Sequence, residues 1–369
     1  MSLAAVVLLA GVVLGAMALR STDPRPPALR GQAPAPTVGP STTAPPSPTT
    51  ATPNTIAPTQ AVSLPLPGCP PPPRPPGTGT PSVPWRPPRL VPEVQLPAAL
   101  PAPTTANSLK PLEGKGMWIW KTRETEAGDV DAVVAKAVAS GLRQIWVRVG
   151  DSRDGFYAAE YLSRIVPKAH KAGLSVIGWG FPFLHDPVSD AAWSTEAVSW
   201  RALDGSRLDG FSPDIELSSE GVVLTERRIT VYLGMLRPAA GDMLMVATVY
   251  RATEARWNGS YPYRAIAPYV DAFAPMVYWG CVEPGGATLE SLERLASLKP
   301  VHVIGQGYDA GPEGGRAGPP SAAETVRFLD VARRNGAVGA SLWVWQSMSA
   351  EQWEALSGFA WSPPAATRR

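Results

Sequence analysis

From Gly116 onward the chain alternates between two hydrophobic rhythms. Short apolar runs rich in Val, Ile, Trp and Tyr read as strands: GMWIW to Trp120, QIWVRVG to Gly150, LSVIGWGF to Phe181 and LDGFSPDIE to Glu216. The series continues with MLMVATVY to Tyr250, DAFAPMVY to Tyr278, VHVIGQGY to Tyr308 and GASLWVW to Trp345. Between them lie segments with apolar residues three and four apart, from DVDAVVAKAVASG to AAETVRFLDVARRNG, which predict amphipathic helices. Gly141, Gly173 and Gly336 stand where glycine closes a helix. The connection around Tyr261 to Ile266 has the weakest helical pattern. Eight βα units in one domain predict an α/β fold, a (β/α)8 barrel, with a doubly wound open sheet as the alternative.

Ahead of the barrel the pattern changes twice. Residues 3–19, LAAVVLLAGVVLGAMAL, form an uncharged apolar run that reads as a signal peptide or a short membrane anchor, so residues 1–19 are assigned to export. Either way the barrel is expected outside the cytoplasm, secreted or anchored to the membrane, with that segment as its one membrane contact. Residues 20–108 follow as a Pro-, Ala-, Thr- and Ser-rich linker expected to stay disordered, because it has too few apolar side chains to offset the entropy of ordering. At the polyproline II rise of about 3.1 Å per residue it reaches on the order of 270 Å. The barrel domain is expected over 110–362, as a monomer.

Of 43 prolines, 27 lie between residues 21 and 110, which confines any packed core to the remainder. Residues 1–110 hold seven basic and two acidic side chains, whereas the rest holds 26 and 29, so the overall charge of +2 belongs to the linker. A mildly acidic domain without a basic stripe argues against nucleic acid as its ligand. The three histidines, His170, His185 and His302, share no metal-ligand spacing, and two cysteines make no four-ligand site, so no metal and no cofactor are expected. Cys69 and Cys281 read as two unrelated free thiols, with pairing in an oxidising compartment as the other reading.

Functional residues of such barrels gather where strands end. The sharpest strand end is Leu208-Asp209-Gly210-Phe211-Ser212-Pro213-Asp214-Ile215-Glu216. Residues two apart share a face, so Asp214 and Glu216 point together into the mouth while Phe211 and Ile215 face the helices. Two carboxylates so close cannot both ionise freely, and one raised pKa suits a general acid near neutral pH. An ion pair with Arg148 or Arg251 that merely orders the mouth is the other reading.

This stretch resembles the D-G-x-D-x-D-x-E signature on the fourth strand of the family 18 glycoside hydrolases, the chitinase-like barrels, with Asp209, Gly210, Asp214 and Glu216 matching. The resemblance implies that Glu216 protonates the glycosidic oxygen and that Asp214 orients an N-acetyl group whose carbonyl attacks from within the substrate. Ala274-Pro275-Met276-Val277-Tyr278 is similar to that family's sixth-strand M-x-Y, which implies a catalytic acetamido contact for Tyr278, and Trp345 falls where an eighth-strand Trp floors the sugar site. Ser212 departs from the pattern, standing where the family has a middle Asp, with Pro213 after it. The D-x-E also resembles the family 25 lysozyme-like barrels. A further retaining arrangement would take its nucleophile from the seventh strand end, where Gln306 cannot serve and Asp309 would have to turn inward.

Twelve of the 13 tryptophans lie after residue 111. Sugars stack their C–H faces on such rings, and Trp120, Trp179, Trp279 and Trp345, at or just past strand ends, are the stacking candidates. Trp118, Trp146 and Trp343 lie within strands and are expected to fill barrel layers. Asp209, Arg148, Asp151, Tyr250, Gln306 and Asp309 complete the expected substrate contacts. The expected activity is hydrolysis of a cell-wall or other extracellular polysaccharide, against a carbohydrate-binding barrel without turnover.

Overall fold

The computed structural model describes Cys69 and residues 108–361, all within one unit, Gln60–Arg369. The expected apolar leader at 1–19 and nearly all of the expected linker at 20–108 lie outside the described residues. The parallel strands are β1 (Gly114–Ile119), β2 (Gln144–Asp151), β4 (Ser175–Phe181) and β5 (Gly210–Pro213). They continue with β6 (Leu244–Tyr250), β7 (Ala272–Val277), β8 (His302–Gln306) and β9 (Gly339–Trp343). Each pairs in parallel with its neighbour, and β1 pairs with both β2 and β9, so eight strands close into a (β/α)8 barrel. The short β3 (Gly155–Phe156) folds back antiparallel on β2, a hairpin too brief to show in the hydrophobic pattern.

Among the described residues, seven helices of eight or more residues pack outside: α1 (Val130–Ala139), α2 (Ala159–Lys171), α3 (Pro187–Ser199), α4 (Glu226–Ala240), α6 (Pro284–Leu295), α7 (Ala322–Arg334) and α8 (Ala350–Gly358). The weak pattern at Tyr261 to Ile266 yields a single turn, α5 (Tyr263–Ile266). α8 has no helical signal of its own because only Trp353 and Leu356 carry its apolar face; a capping box of Ser349 and Gln352 starts it. Gly141, Gly173 and Gly336 take φ of +64°, +76° and +80° after α1, α2 and α7, the left-handed caps that favour glycine.

Period-two alternation divides the core. Met117, Ile119, Ile145 and Val147 face the helices, whereas Trp118, Trp146, Ile177, Trp179, Val246 and Ala274 fill the interior. Trp118 stacks on Trp146 with centroids 4.5 Å apart and donates from Nε1 to Ser341 Oγ at 2.8 Å. Below them His302, fully buried, meets Leu112 O and Ser341 Oγ, each at 3.0 Å, and burial lowers its pKa to about 4. The chain enters at this end. The opposite end, where strands finish, is open.

The two cysteines are not free thiols. Cys69 pairs with Cys281, four residues past β7, with Cα atoms 5.6 Å apart. Sequence spacing could not show this because 212 residues separate them.

Candidate active site

β5 carries the acidic pair. Pro213 has no N–H to donate, yet the ladder survives it: Asp214 N donates to Gly180 O at 2.8 Å and Ile215 N to Thr248 O at 3.0 Å. Asp214 and Glu216 therefore emerge at the mouth on one face, while Phe211 and Ile215 lie in the outer core. They line a cleft of about 570 Å³ across the strand ends. Asp214 is buried with Oδ1 unpartnered, and Glu216 has Oε2 buried and unpartnered. Burial raises the Asp214 pKa, and the neighbouring Glu216 adds to the rise. Burial pushes Glu216 up to about 7; a hydrogen bond from Tyr250 pulls it down, and Glu220 raises it. Ser212 bonds Val246 O at 2.7 Å and the Thr248 hydroxyl at 2.8 Å, so it props the strand below and turns no charge toward Asp214.

Around this pair stand Tyr250 at the end of β6, Tyr278 just past β7 and Tyr308 just past β8. Tyr278 meets Tyr308 edge to face at 5.5 Å, and burial holds the phenols of all three in their neutral, donating form. Trp118, Trp120, Trp179 and Trp343 form an aromatic wall on the other side, Trp179 and Trp343 meeting at 5.2 Å. Of these Trp120 is the exposed ring, at 43%. Arg148 lies 5.2 Å over Trp179 and pairs with Asp151 at 2.8 Å.

Of the expected contacts, Glu216, Asp214, Tyr278, Tyr250, Arg148, Trp120 and Trp179 meet in this cleft. Asp151 reaches it through Arg148, and its Oδ1 caps Arg153 N and Asp154 N. The other five lie elsewhere. Asp209 stands at the start of β5, not its end, where it accepts from His170 Nε2 at 2.8 Å and Val176 N at 2.7 Å on the opposite face of the barrel. Trp279, one residue after Tyr278, faces outward and packs on Phe328. β9 ends two residues early, so Trp343 holds the cleft position expected of Trp345. Trp345 turns into a 3-10 turn, packs on Trp353 and donates to Glu126 at 2.9 Å. Gln306 is buried, bonding Gly280 N at 2.9 Å and Tyr308 O at 3.0 Å, so it shapes the rim from behind. Asp309 folds its own loop, accepting from Gly311 N and Gly318 N at 2.8 Å, and does not turn inward.

Strand-end reasoning missed Glu220, Arg256 and Glu313 because all three come from single helical turns in the connections after β5, β6 and β8, too short for any periodicity to assign a direction. Among the described residues no group of three His, Cys, Asp or Glu could hold a metal ion.

Fold and site together define a (β/α)8 barrel whose mouth is an aromatic cleft centred on a buried carboxyl pair. No family model matches the chain, and no curated protein does. Among solved structures it is similar to a chitinase from Chromobacterium violaceum ATCC 12472, at 11% identity over 66% of this chain and 98% of that one, with a TM-score of 0.47. A C-terminal domain of a putative chitinase from Desulfitobacterium hafniense DCB-2 matches at 12% identity over 66% and 98%, with a TM-score of 0.49. The spore cortex-lytic enzyme SleL of Bacillus megaterium QM B1551 matches at 14% identity over 72% and 76%, with a TM-score of 0.47. At these identities and scores the likenesses carry no argument; the barrel rests on the closed sheet of this chain.

Proposed function

We propose that the chain is an exported glycoside hydrolase acting on a cell-wall or other extracellular polysaccharide that contains N-acetylhexosamine. The observation that carries this reading is Glu216, held protonated to about pH 7 by burial, beside a buried Asp214 whose Oδ1 has no partner in the protein. An acid that keeps its proton at neutral pH and faces an aromatic cleft is suited to protonate a glycosidic oxygen. The free Oδ1 of Asp214 suits an N–H donor from the substrate, and an acetamido group supplies one at the distance of a neighbouring ring carbon. Tyr278 lines the same pocket and would donate its hydroxyl to the acetamido oxygen. The aromatic wall of Trp118, Trp179 and Trp343 would take the sugar's C–H face. Export rests on the apolar run at 3–19 and the proline-rich stretch after it.

The test is incubation of the full chain with a panel of chitin, peptidoglycan and other wall glycans, with products read by mass spectrometry. Cleavage lost in Glu216→Gln supports the reading. Binding without turnover on every glycan transfers the site to a carbohydrate-binding barrel, the second reading. Ser212 favours that second reading, because its hydroxyl gives Asp214 no help in shedding or sharing a proton.

A further inference from the structure

The cleft is chemically two-sided. The connection after β6 brings two guanidinium groups to the lining beside Tyr250, Arg251 and Arg256. Among the described residues no carboxylate lies within 4.0 Å of Arg256; it is held by donating to Arg251 O at 3.2 Å and by lying 4.6 Å over the Tyr250 ring. Arg251 pairs weakly with Glu290 Oε2 at 4.0 Å, while Arg294 holds the other oxygen of that carboxylate at 2.5 Å. The other lining cation, Arg148, is matched by Asp151. Arg251 thus shares Glu290 with Arg294, while Arg256 has no ion pair among the described residues and acts on the Glu216 carboxyl through space, which puts the less compensated cation next to the carboxyl expected to protonate the leaving group. Of the acids there, Glu313 accepts the Tyr308 hydroxyl at 2.7 Å and Glu220 is an exposed rim residue, so neither forms an ion pair with the arginines.

Two neighbouring guanidinium groups repel each other, and an anion between them removes that repulsion. A planar fork also fits a carboxylate through two parallel hydrogen bonds. Building on the hydrolase reading above, we propose that Arg256, backed by Arg251, is the specificity-determining residue of the leaving-group side, where it binds a carboxylate carried by the sugar there, so that the substrate is an acidic glycan and not a neutral homopolymer.

The test uses the full chain carrying Glu216→Gln, so that binding is measured without cleavage, by calorimetry at pH 7.5 in low salt, about 50 mM. The probes are peptide-free glycan strands of alternating N-acetylglucosamine and N-acetylmuramic acid, the same strands with carboxyls reduced to alcohols, and a cationic de-N-acetylated chitin oligomer. The acidic strand is expected to bind about tenfold tighter than its reduced form, an advantage that shrinks with added salt. Adding Arg256→Gln should abolish the difference between acidic and reduced strands, while Arg256→Lys should restore part of it, keeping the charge but not the fork. Equal affinity for acidic and reduced strands in the Arg256 protein overturns the inference and leaves the hydrolase reading intact, as does preference for the cationic oligomer. Cleavage of no glycan by the native chain overturns the hydrolase reading itself.

Discussion

Tyr250 hydrogen-bonds the Glu216 carboxylate from the end of the neighbouring strand, opposing the burial that lifts Glu216 to about pH 7. Both residues sit where their strands open into the mouth, so a change in one is read directly in the other.

Removing that hydroxyl should therefore shift the pH profile without dismantling the site. Tyr250→Phe deletes a donor that favours ionised Glu216, so the Glu216 pKa rises further and the basic limb of kcat/KM moves to higher pH. Steady-state rates from pH 4 to 9 on a cleaved glycan check this. An unmoved basic limb would show that Glu216 is not the group whose protonation governs turnover.

Glu216→Gln keeps shape and hydrogen bonding but cannot deliver a proton, so turnover should fall by roughly 10²- to 10⁴-fold with substrate still bound. The same change should stabilise the fold at pH 8. A carboxyl whose folded pKa is raised from 4.5 to about 7 binds more protons folded than unfolded. Its contribution is complete below pH 4.5 and is lost as pH rises through about 7, leaving a buried charge above that. Removing the charge should return roughly 1–3 kcal/mol at pH 8 and almost nothing at pH 4. Thermal unfolding at the two pH values measures the difference.

Asp214→Asn tests the internal-nucleophile route. If Asp214 steers an acetamido group, the loss should approach that of Glu216→Gln on N-acetylated substrate, and Asp309→Asn should cost almost nothing because that side chain is tied into its own loop. Single-turnover rates for the two variants side by side decide between an internal nucleophile and one supplied by the protein.

Trp343 and Trp345 differ by two positions and should differ in kind. Trp343 lines the cleft and is partly exposed, so Trp343→Ala should weaken glycan binding by about tenfold or more with a modest loss of stability. Trp345 is 4% exposed, packed on Trp353 and bonded to Glu126, so its replacement by Ala should cost about 3–5 kcal/mol with binding unchanged. Paired calorimetric and binding measurements separate the two.

That pair also shows how far the sequence reaches. Eight strands and six of the helices are visible as periodicity, and alternation alone sends Asp214 and Glu216 to the mouth. Strand length is what periodicity leaves open. Pairing along β8–β9 stops at Trp343, and the chain then turns, which rotates Trp345 away from a face it would otherwise share. Trp279 was legible in principle, since two adjacent residues, Tyr278 and Trp279, cannot both face the mouth of one strand. Asp209 sits before the four residues of β5, so a motif match carried it to the wrong end of the barrel. Glu220, Arg256 and Glu313, and the Cys69–Cys281 pairing, depend on long-range packing that no local pattern encodes.

The disulfide joins two distant parts of the chain at the barrel. The chain enters at Ser108, on the face where strands begin, but Cys69 is bonded to Cys281 on the face where strands end. The bond therefore ties Cys69 to the connection after β7 and not to the chain's entry point. Tryptic cleavage tests the connection. Between residues 70 and 107 the basic residues are Arg74, Arg86 and Arg89; the first two precede proline and resist trypsin, which leaves the Arg89–Leu90 bond. After cleavage there, a fragment ending at Arg89 should stay with the barrel on gel filtration and leave when dithiothreitol is added. In Cys281→Ser it should leave without reductant. A fragment that separates from the unreduced native chain would show that Cys69 and Cys281 are not bonded in it.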